Sequence, residues 1–227
     1  MGEMIEFPSN GTSGEGYLAT PEGGGGRGVV VIQEWWGLVD HIKDVCDRFA
    51  AEGFVALAPD LYHGKKTSEP DEAGKEMMAL QLDKAAKDMS GAVDAVNDRS
   101  SGNGIGVVGF CMGGGLALVL AAERADAVKA VVPFYGALPW EHAKPDYASI
   151  TGAVLGHYAS EDEMAGREVA RQLEKTLKDS GNSDVTVHVY EGTEHAFFND
   201  TRPEVHDAEA SRLAWDRTVQ FLHSHLG

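Results

Sequence analysis

The chain has 227 residues, 43% hydrophobic and 24% charged, with 28 glycines and a formal charge of −17. That length suits one α/β domain spanning residues 1–227. No apolar run nears the roughly 18 residues of a membrane span, and so acidic a surface repels phosphate backbones, arguing against nucleic-acid partners. The N-terminal MGEMIEFPSN has neither a basic region nor an apolar stretch, and Glu6 breaks the myristoylation pattern, so a cytoplasmic chain is expected. The two cysteines, Cys46 and Cys111, form no CxxC or Cys/His cluster, so neither a metal nor a disulfide scaffold is expected.

Residues 4–7 and 16–20 read as two short antiparallel edge strands, and the glycine run 23–26 as a loose turn. The β-branched run at 28–33 reads as a buried strand. A helix follows over 39–52, with Cys46 as a small buried residue, and Gly53 ends it. The strand at 54–58 stops at Pro59. Residues 71–97 carry one long or broken helix, with Ser68 as its N-cap. A third buried strand, 105–110, leads directly into a helix over 113–123. Strands at 128–134 and 153–157 follow, separated by a surface loop over 135–150. A helix over 164–179 precedes a strand at 185–190. The final helix, 203–225, starts from a capping box, Thr201-x-x-Glu204, with Pro203 in its first turn. Strands alternating with helices imply a mostly parallel sheet covered on both faces. Chemistry in such sheets sits in loops at the carboxyl ends of the strands.

The loop after the third buried strand reads Gly109-Phe110-Cys111-Met112-Gly113-Gly114. It matches the G-x-S-x-G nucleophile elbow with cysteine in the serine position, where small flanking residues permit a sharp strand-to-helix turn. The helix N-terminus favours thiolate and offers the Met112 N–H as an oxyanion donor. Two other readings remain: a structural cysteine among packing glycines, and a phosphate-cradling turn, although neither G-x-G-x-x-G nor G-K-[ST] is present. The α/β-hydrolase order of nucleophile, acid, base narrows the nine histidines to His195, between the last strand and the last helix. His188 lies in a strand, and His206, His223 and His225 fall in the last helix as solvated side chains. The acid is expected in Ser160-Glu161-Asp162-Glu163; Asp162 is the choice, with Glu161 the alternative. Ser160-x-x-Glu163 is itself a capping box. Glu34-Trp35-Trp36-Gly37 supplies the Trp35 N–H as second oxyanion donor. Glu34 is either a surface acid or a charge that disfavours the thiolate until substrate arrives.

These segments closely resemble the dienelactone hydrolase family: Gln33-Glu34-Trp35-Trp36-Gly37, Pro59-Asp60-Leu61-Tyr62, the Cys111 elbow, Asp162, and His195-Ala196-Phe197. The resemblance spans nearly the whole chain. It implies a Cys111-His195-Asp162 triad on a lidless α/β-hydrolase fold, usually monomeric and cofactor-free, with a dimer as the other possibility. It also implies that Glu34 contacts the resting thiol and is displaced by substrate. The founding activity is hydrolysis of dienelactone, a carboxylate-bearing enol-lactone. Trp36, Tyr62, Phe197, Asn199 and Arg202 are the candidate substrate contacts. One departure bears on specificity: Asn199 stands where the family has an arginine that grips the carboxylate. Arg99 is the only arginine between Asp60 and Cys111, and Lys65, Lys66 and Arg202 lack either its place or its fork. The expected substrate is a small ester or lactone, neutral as readily as charged. A broad short-chain carboxylesterase or thioesterase, a non-catalytic binding protein and a thiol redox sensor are the rival readings.

Overall fold

The computed structural model describes residues 2–9, 11–140 and 142–227. In chain order its elements are β1 (Glu3–Ser9), β2 (Thr12–Ala19), β3 (Arg27–Ile32), α1 (Asp40–Ala51), β4 (Phe54–Pro59), α2 (Pro70–Ala79), α3 (Leu82–Asn97), β5 (Ile105–Phe110) and α4 (Met112–Glu123). Then come β6 (Val128–Phe134), a 3-10 turn (Tyr147–Ser149), β7 (Ala153–Ala159), α5 (Arg167–Asp179), β8 (Val185–Tyr190) and α6 (Ala208–His225). Eight strands form one sheet in the order β1-β2-β4-β3-β5-β6-β7-β8. β1 and β2 pair antiparallel, β2 joins β4 antiparallel, and every other pairing is parallel. β3 is the hinge of this order, flanked by β4 on one side and β5 on the other. The winding reverses there, and the crevice above the carboxyl ends of β3 and β5 is where a ligand has room.

Both faces of the sheet are covered, which is why its central strands are continuous apolar runs rather than alternating ones. Val29 and Val31 of β3 face one core, with Ile42 and Phe49 of α1 and Ala214 and Leu222 of α6. Val30 and Ile32 face the other, with Met89 and Val93 of α3, Leu116 and Leu120 of α4, and Leu173 of α5. α4 is apolar all round because it is the innermost helix, and nine of its residues are buried. Cys46 is fully buried, and desolvation pushes its thiol well above the usual range, with Asp47 adding to the rise.

The two N-terminal strands pair antiparallel as expected and are longer than the sequence suggested, but only β1 is an edge, because β2 is paired on its other side with β4. The helical stretch at 71–97 is broken: α2 ends at Leu80, whose ψ of 124° leaves the helix, and α3 restarts from Gln81. The N-cap of α2 is Glu69 rather than Ser68, and the neighbouring Thr67 hydroxyl accepts the Glu69 N–H. α5 begins at Arg167, not 164, because the Asp162 carboxylate accepts the Met164 and Ala165 N–H groups and winds the chain into turns. Ser160 forms no capping box; it donates to Glu161 and accepts the Gly192 N–H. α6 begins at Ala208 under an Asp207 cap. The Thr201 hydroxyl is already committed to Asn199 Oδ1 at 2.6 Å, and Glu204 pairs with Arg202, so the capping box at 201–204 does not form. The 135–150 segment is only partly a surface loop, since Tyr135, Trp140 and Ile150 are buried. The late histidines are partnered rather than solvated. His206 precedes α6 and bonds the Phe197 carbonyl, His223 lies beside Arg27, and His225 pairs with Asp184.

Candidate active site

Cys111 occupies the turn between β5 and α4 with φ 55° and ψ −121°, a region an L-residue visits only under constraint. The flanking glycines are steric necessities. A Cβ on Gly109 would lie 2.0 Å from the Gly113 carbonyl oxygen, and one on Gly113 would lie 2.4 Å from the Gln33 carbonyl oxygen. The turn is held from outside as well: the Cys111 N–H donates to Phe134 O, and the Cys111 carbonyl accepts from Gly114 and Ala137. The thiol ends up partly exposed at the rim of the crevice.

His195 arrives on the loop after β8, in a turn where Ala196 takes a φ of 65°. Its Nδ1 lies 2.6 Å from Asp162 Oδ2, on the loop after β7. Asp162 is buried, and its other oxygen accepts the Met164 and Ala165 N–H groups, so the carboxylate is held from both sides. Burial works to raise the Asp162 pKa, but the imidazole and those two amides bring it below the usual carboxylate range. Burial likewise opposes charge on His195, and is outweighed by Asp162 and the Cys111 sulfur, so the ring pKa is pushed up to about 10. His195 Nε2 is buried and makes no hydrogen bond in the resting site among the described residues. It is the ring nitrogen that Asp162 does not engage, and a hydrogen bond at such a position commonly tightens only with substrate present. The N–H groups of Met112 and Trp35 make no protein hydrogen bond among the described residues.

Glu34 is not a surface acid. It is 1% exposed, accepting from the Tyr135 hydroxyl at 3.2 Å and Asn199 Nδ2 at 2.8 Å. The Asn199 amide is oriented by Thr201, whose N–H and hydroxyl both donate to its Oδ1. Burial, Glu34 and Cys111 hold the Tyr135 phenol well above its ordinary pKa, so it remains a donor. Tyr135 escaped the sequence reading, although the carboxyl-end rule applied to β6 points to it; its φ of 38° marks a third positive-φ position at the site, after Cys111 and Ala196. Gln33 ties two of the resembling segments together, since its Oε1 accepts the Leu61 N–H.

A cavity of about 920 Å³ opens over these groups. Glu34, Trp35, Trp36, Cys111, Met112, Asp162, His195 and Arg202 all line it. Three expected substrate contacts do not. Tyr62 is buried with its hydroxyl on the Met112 sulfur, Phe197 is fully buried between Tyr135 and Tyr190, and Asn199 is turned onto Glu34. In each case the side chain satisfies the core or a buried acid before it can reach a ligand. Arg202 is the one arginine or lysine among the lining residues, and it is paired with Glu204 and set over Trp36. Glu161, Glu163 and Glu194 stand at the rim, and Glu161 bonds Ser160 rather than His195. Among the described residues no cluster could hold a metal ion, and no helix is long and apolar enough to cross a membrane.

The same architecture recurs in known proteins. A model of the Dienelactone hydrolase family matches residues 15–226. The chain is 42% identical to "Protein usf" of Aquifex pyrophilus and 37% identical to a "Putative carboxymethylenebutenolidase" of Aquifex aeolicus (strain VF5), in both cases over 100% of each chain. It superimposes with a TM-score of 0.89, at 25% identity and over 99% of each chain, on the crystal structure of a "Putative Dienelactone Hydrolase" from Klebsiella pneumoniae subsp. pneumoniae MGH 78578. With its eight-stranded sheet, its elbow and its full-length relatives, the chain belongs to the dienelactone hydrolase family of carboxylic ester hydrolases, on the α/β-hydrolase fold.

Proposed function

We propose that this protein hydrolyses small esters and lactones through a thioacyl intermediate on Cys111, with His195 as base and Asp162 as its positioning acid. The observation that carries the proposal is the convergence on one cavity of the strained Cys111 turn and the His195–Asp162 pair at 2.6 Å. In the forward step the sulfur attacks the acyl carbon and its proton resides on His195. The carbonyl oxygen becomes an oxyanion, received by the Met112 and Trp35 N–H groups, and each such donor is worth on the order of 3 kcal/mol. The tetrahedral species expels the alkoxide or enolate, which takes the proton from His195. A water then gives its proton to His195 and its oxygen to the thioester carbon, releasing the carboxylic acid and restoring the thiol. These steps need only side chains and water.

Asp162 restrains the ring and stabilises the imidazolium formed in each half-cycle. Glu34 is a buried, hydrogen-bonded carboxylate in the wall of the cavity that Cys111 also lines. The acidic rim and the turning of Asn199 away from the cavity favour neutral substrates over the carboxylate-bearing dienelactone. The proposed working unit is one chain in the cytoplasm, a single domain.

Hydrolysis of 4-nitrophenyl acetate, followed with and without a thiol alkylator, tests the assignment. Cys111→Ala and His195→Ala are each expected to lower kcat/KM by at least about 10³-fold. Full activity in either variant, or insensitivity to alkylation, refutes the triad.

A further inference from the structure

Beside the catalytic cavity lies a second one of about 560 Å³, and the two share a wall made of Ala137, Leu138 and Met164. Leu118, Tyr147, Tyr158, Val169 and Leu173 extend this second cavity away from the sulfur, along the face where α5 meets the loop after β6. It differs from the catalytic cavity in the number of charged side chains, with Gln172 and Thr176 among its neutral polar lining. The catalytic cavity is rimmed by carboxylates, whereas Glu168 is the single charged side chain lining the second one.

Two apolar side chains here are left open to an unusual degree. Met164 is 62% and Val169 is 40% exposed, and they are two of only four large hydrophobic residues so exposed among those described. Both line this one trough, and Met164 stands at its junction with the active site. Methionine at a junction is well suited to a variable apolar contact, because its unbranched thioether adapts to what lies against it. An apolar trough continuous with a reaction centre, without a charge partner for a carboxylate, selects for hydrocarbon.

We infer that this trough is a substrate subsite for an aliphatic chain of the ester, so that the enzyme prefers medium-chain neutral esters over the compact lactone of its family's founding reaction. The inference deepens the ester-hydrolase reading above and rests on it. The chain can belong to either side of the ester, and both sides present the same hydrocarbon to Ala137, Leu138, Met164 and Val169. Burial of one methylene is worth roughly 0.8 kcal/mol, which converts to about a fourfold gain per carbon when burial is complete and about twofold in a half-open trough.

Two substrate series read this out by titration of released acid. One is ethyl acetate, butyrate, hexanoate and octanoate; the other is ethyl, butyl, hexyl and octyl acetate. In one series at least, kcat/KM is expected to climb about two- to fourfold per methylene, and the rising series identifies which side of the ester enters the trough. Val169→Glu, a change at an exposed position on α5 outside the catalytic cavity, is expected to flatten that rise. The same variant should leave ethyl acetate within about twofold. Flat profiles in both series, or a Val169→Glu variant that keeps the full rise, overturn the subsite. A variant that slows ethyl acetate and the octyl substrate equally does the same. Should ethyl acetate and 4-nitrophenyl acetate both resist hydrolysis, the ester-hydrolase reading falls and the subsite with it. Turnover of the acetates with no chain-length dependence removes the subsite alone.

Discussion

His195 sits between two negative influences, the Asp162 carboxylate at 2.6 Å and the Cys111 sulfur, and its pKa of about 10 is their joint effect against burial. A ring that binds its proton more tightly when folded stabilises the folded state. That contribution is complete below the ordinary histidine pKa of about 6.5 and is lost as pH rises from there through about 10. The Tm gap between the native protein and His195→Asn should therefore narrow steadily between about pH 6 and about pH 10. A gap independent of pH would show that the ring gains no proton affinity from the fold. At this scale the proposed reacting residues could be picked out because each has a positional signature: a cysteine between required glycines, a histidine between the last strand and the last helix. Glu34's partners were not legible. Nothing in the residue types of Tyr135 or Asn199 shows that they converge on a carboxylate 101 and 165 positions earlier in the chain. Asn199 was expected to face substrate, and its amide is instead spent on satisfying that buried acid, which would otherwise carry a substantial desolvation cost.

In the proposed mechanism the elbow is the element that presents the reacting sulfur, and its integrity rests on backbone proximity. α4 begins one residue after the nucleophile and its first turn lies against the end of β3, so close that a methyl group on Gly113 would lie 2.4 Å from Gln33 O and 2.5 Å from Ile32 O. Neither contact is the far end of a flexible side chain, and the strand behind them is central to the sheet. Gly113→Ala is expected to lower unfolding free energy by about 3 kcal/mol, read as a shift in the urea midpoint at constant slope. An unchanged midpoint would mean that the elbow is looser than its contacts imply. The strands and the nucleophile turn could be anticipated because their signals are local: β-branched runs and glycine spacing. The starts of α5 and α6 could not, because cap candidates compete. Thr201 and Ser160 both carry the residue pattern of a capping box, but their hydroxyls are taken by Asn199 and Glu161. The true caps are Asp207 for α6 and the backbone at Gly166 for α5. A pattern match names a donor or acceptor; the competing partner is visible only in three dimensions.

Over the whole molecule, a formal charge of −17 surrounds a cavity whose own rim is acidic and whose one lining arginine is already paired. Such a field acts on the approach of a ligand before any contact forms, raising the local concentration of neutral or cationic molecules relative to anionic ones. Added salt shortens its reach, from about 30 Å at 0.01 M ionic strength to about 10 Å at 0.1 M. A carboxylate-bearing lactone and its methyl ester differ in charge while sharing the scissile bond. If global repulsion contributes to discrimination, kcat/KM for the anionic lactone should rise several-fold over that salt range, and the value for its neutral ester should stay within about twofold. If the discrimination is local, arising only from the missing arginine at position 199, the anionic lactone should be slow at every salt concentration. A fast anionic lactone at low salt would contradict both, and would mean that Arg202 leaves Glu204 to bind the carboxylate. Arg202→Gln then decides between these cases, because its loss should slow the charged substrate only if that exchange of partners occurs.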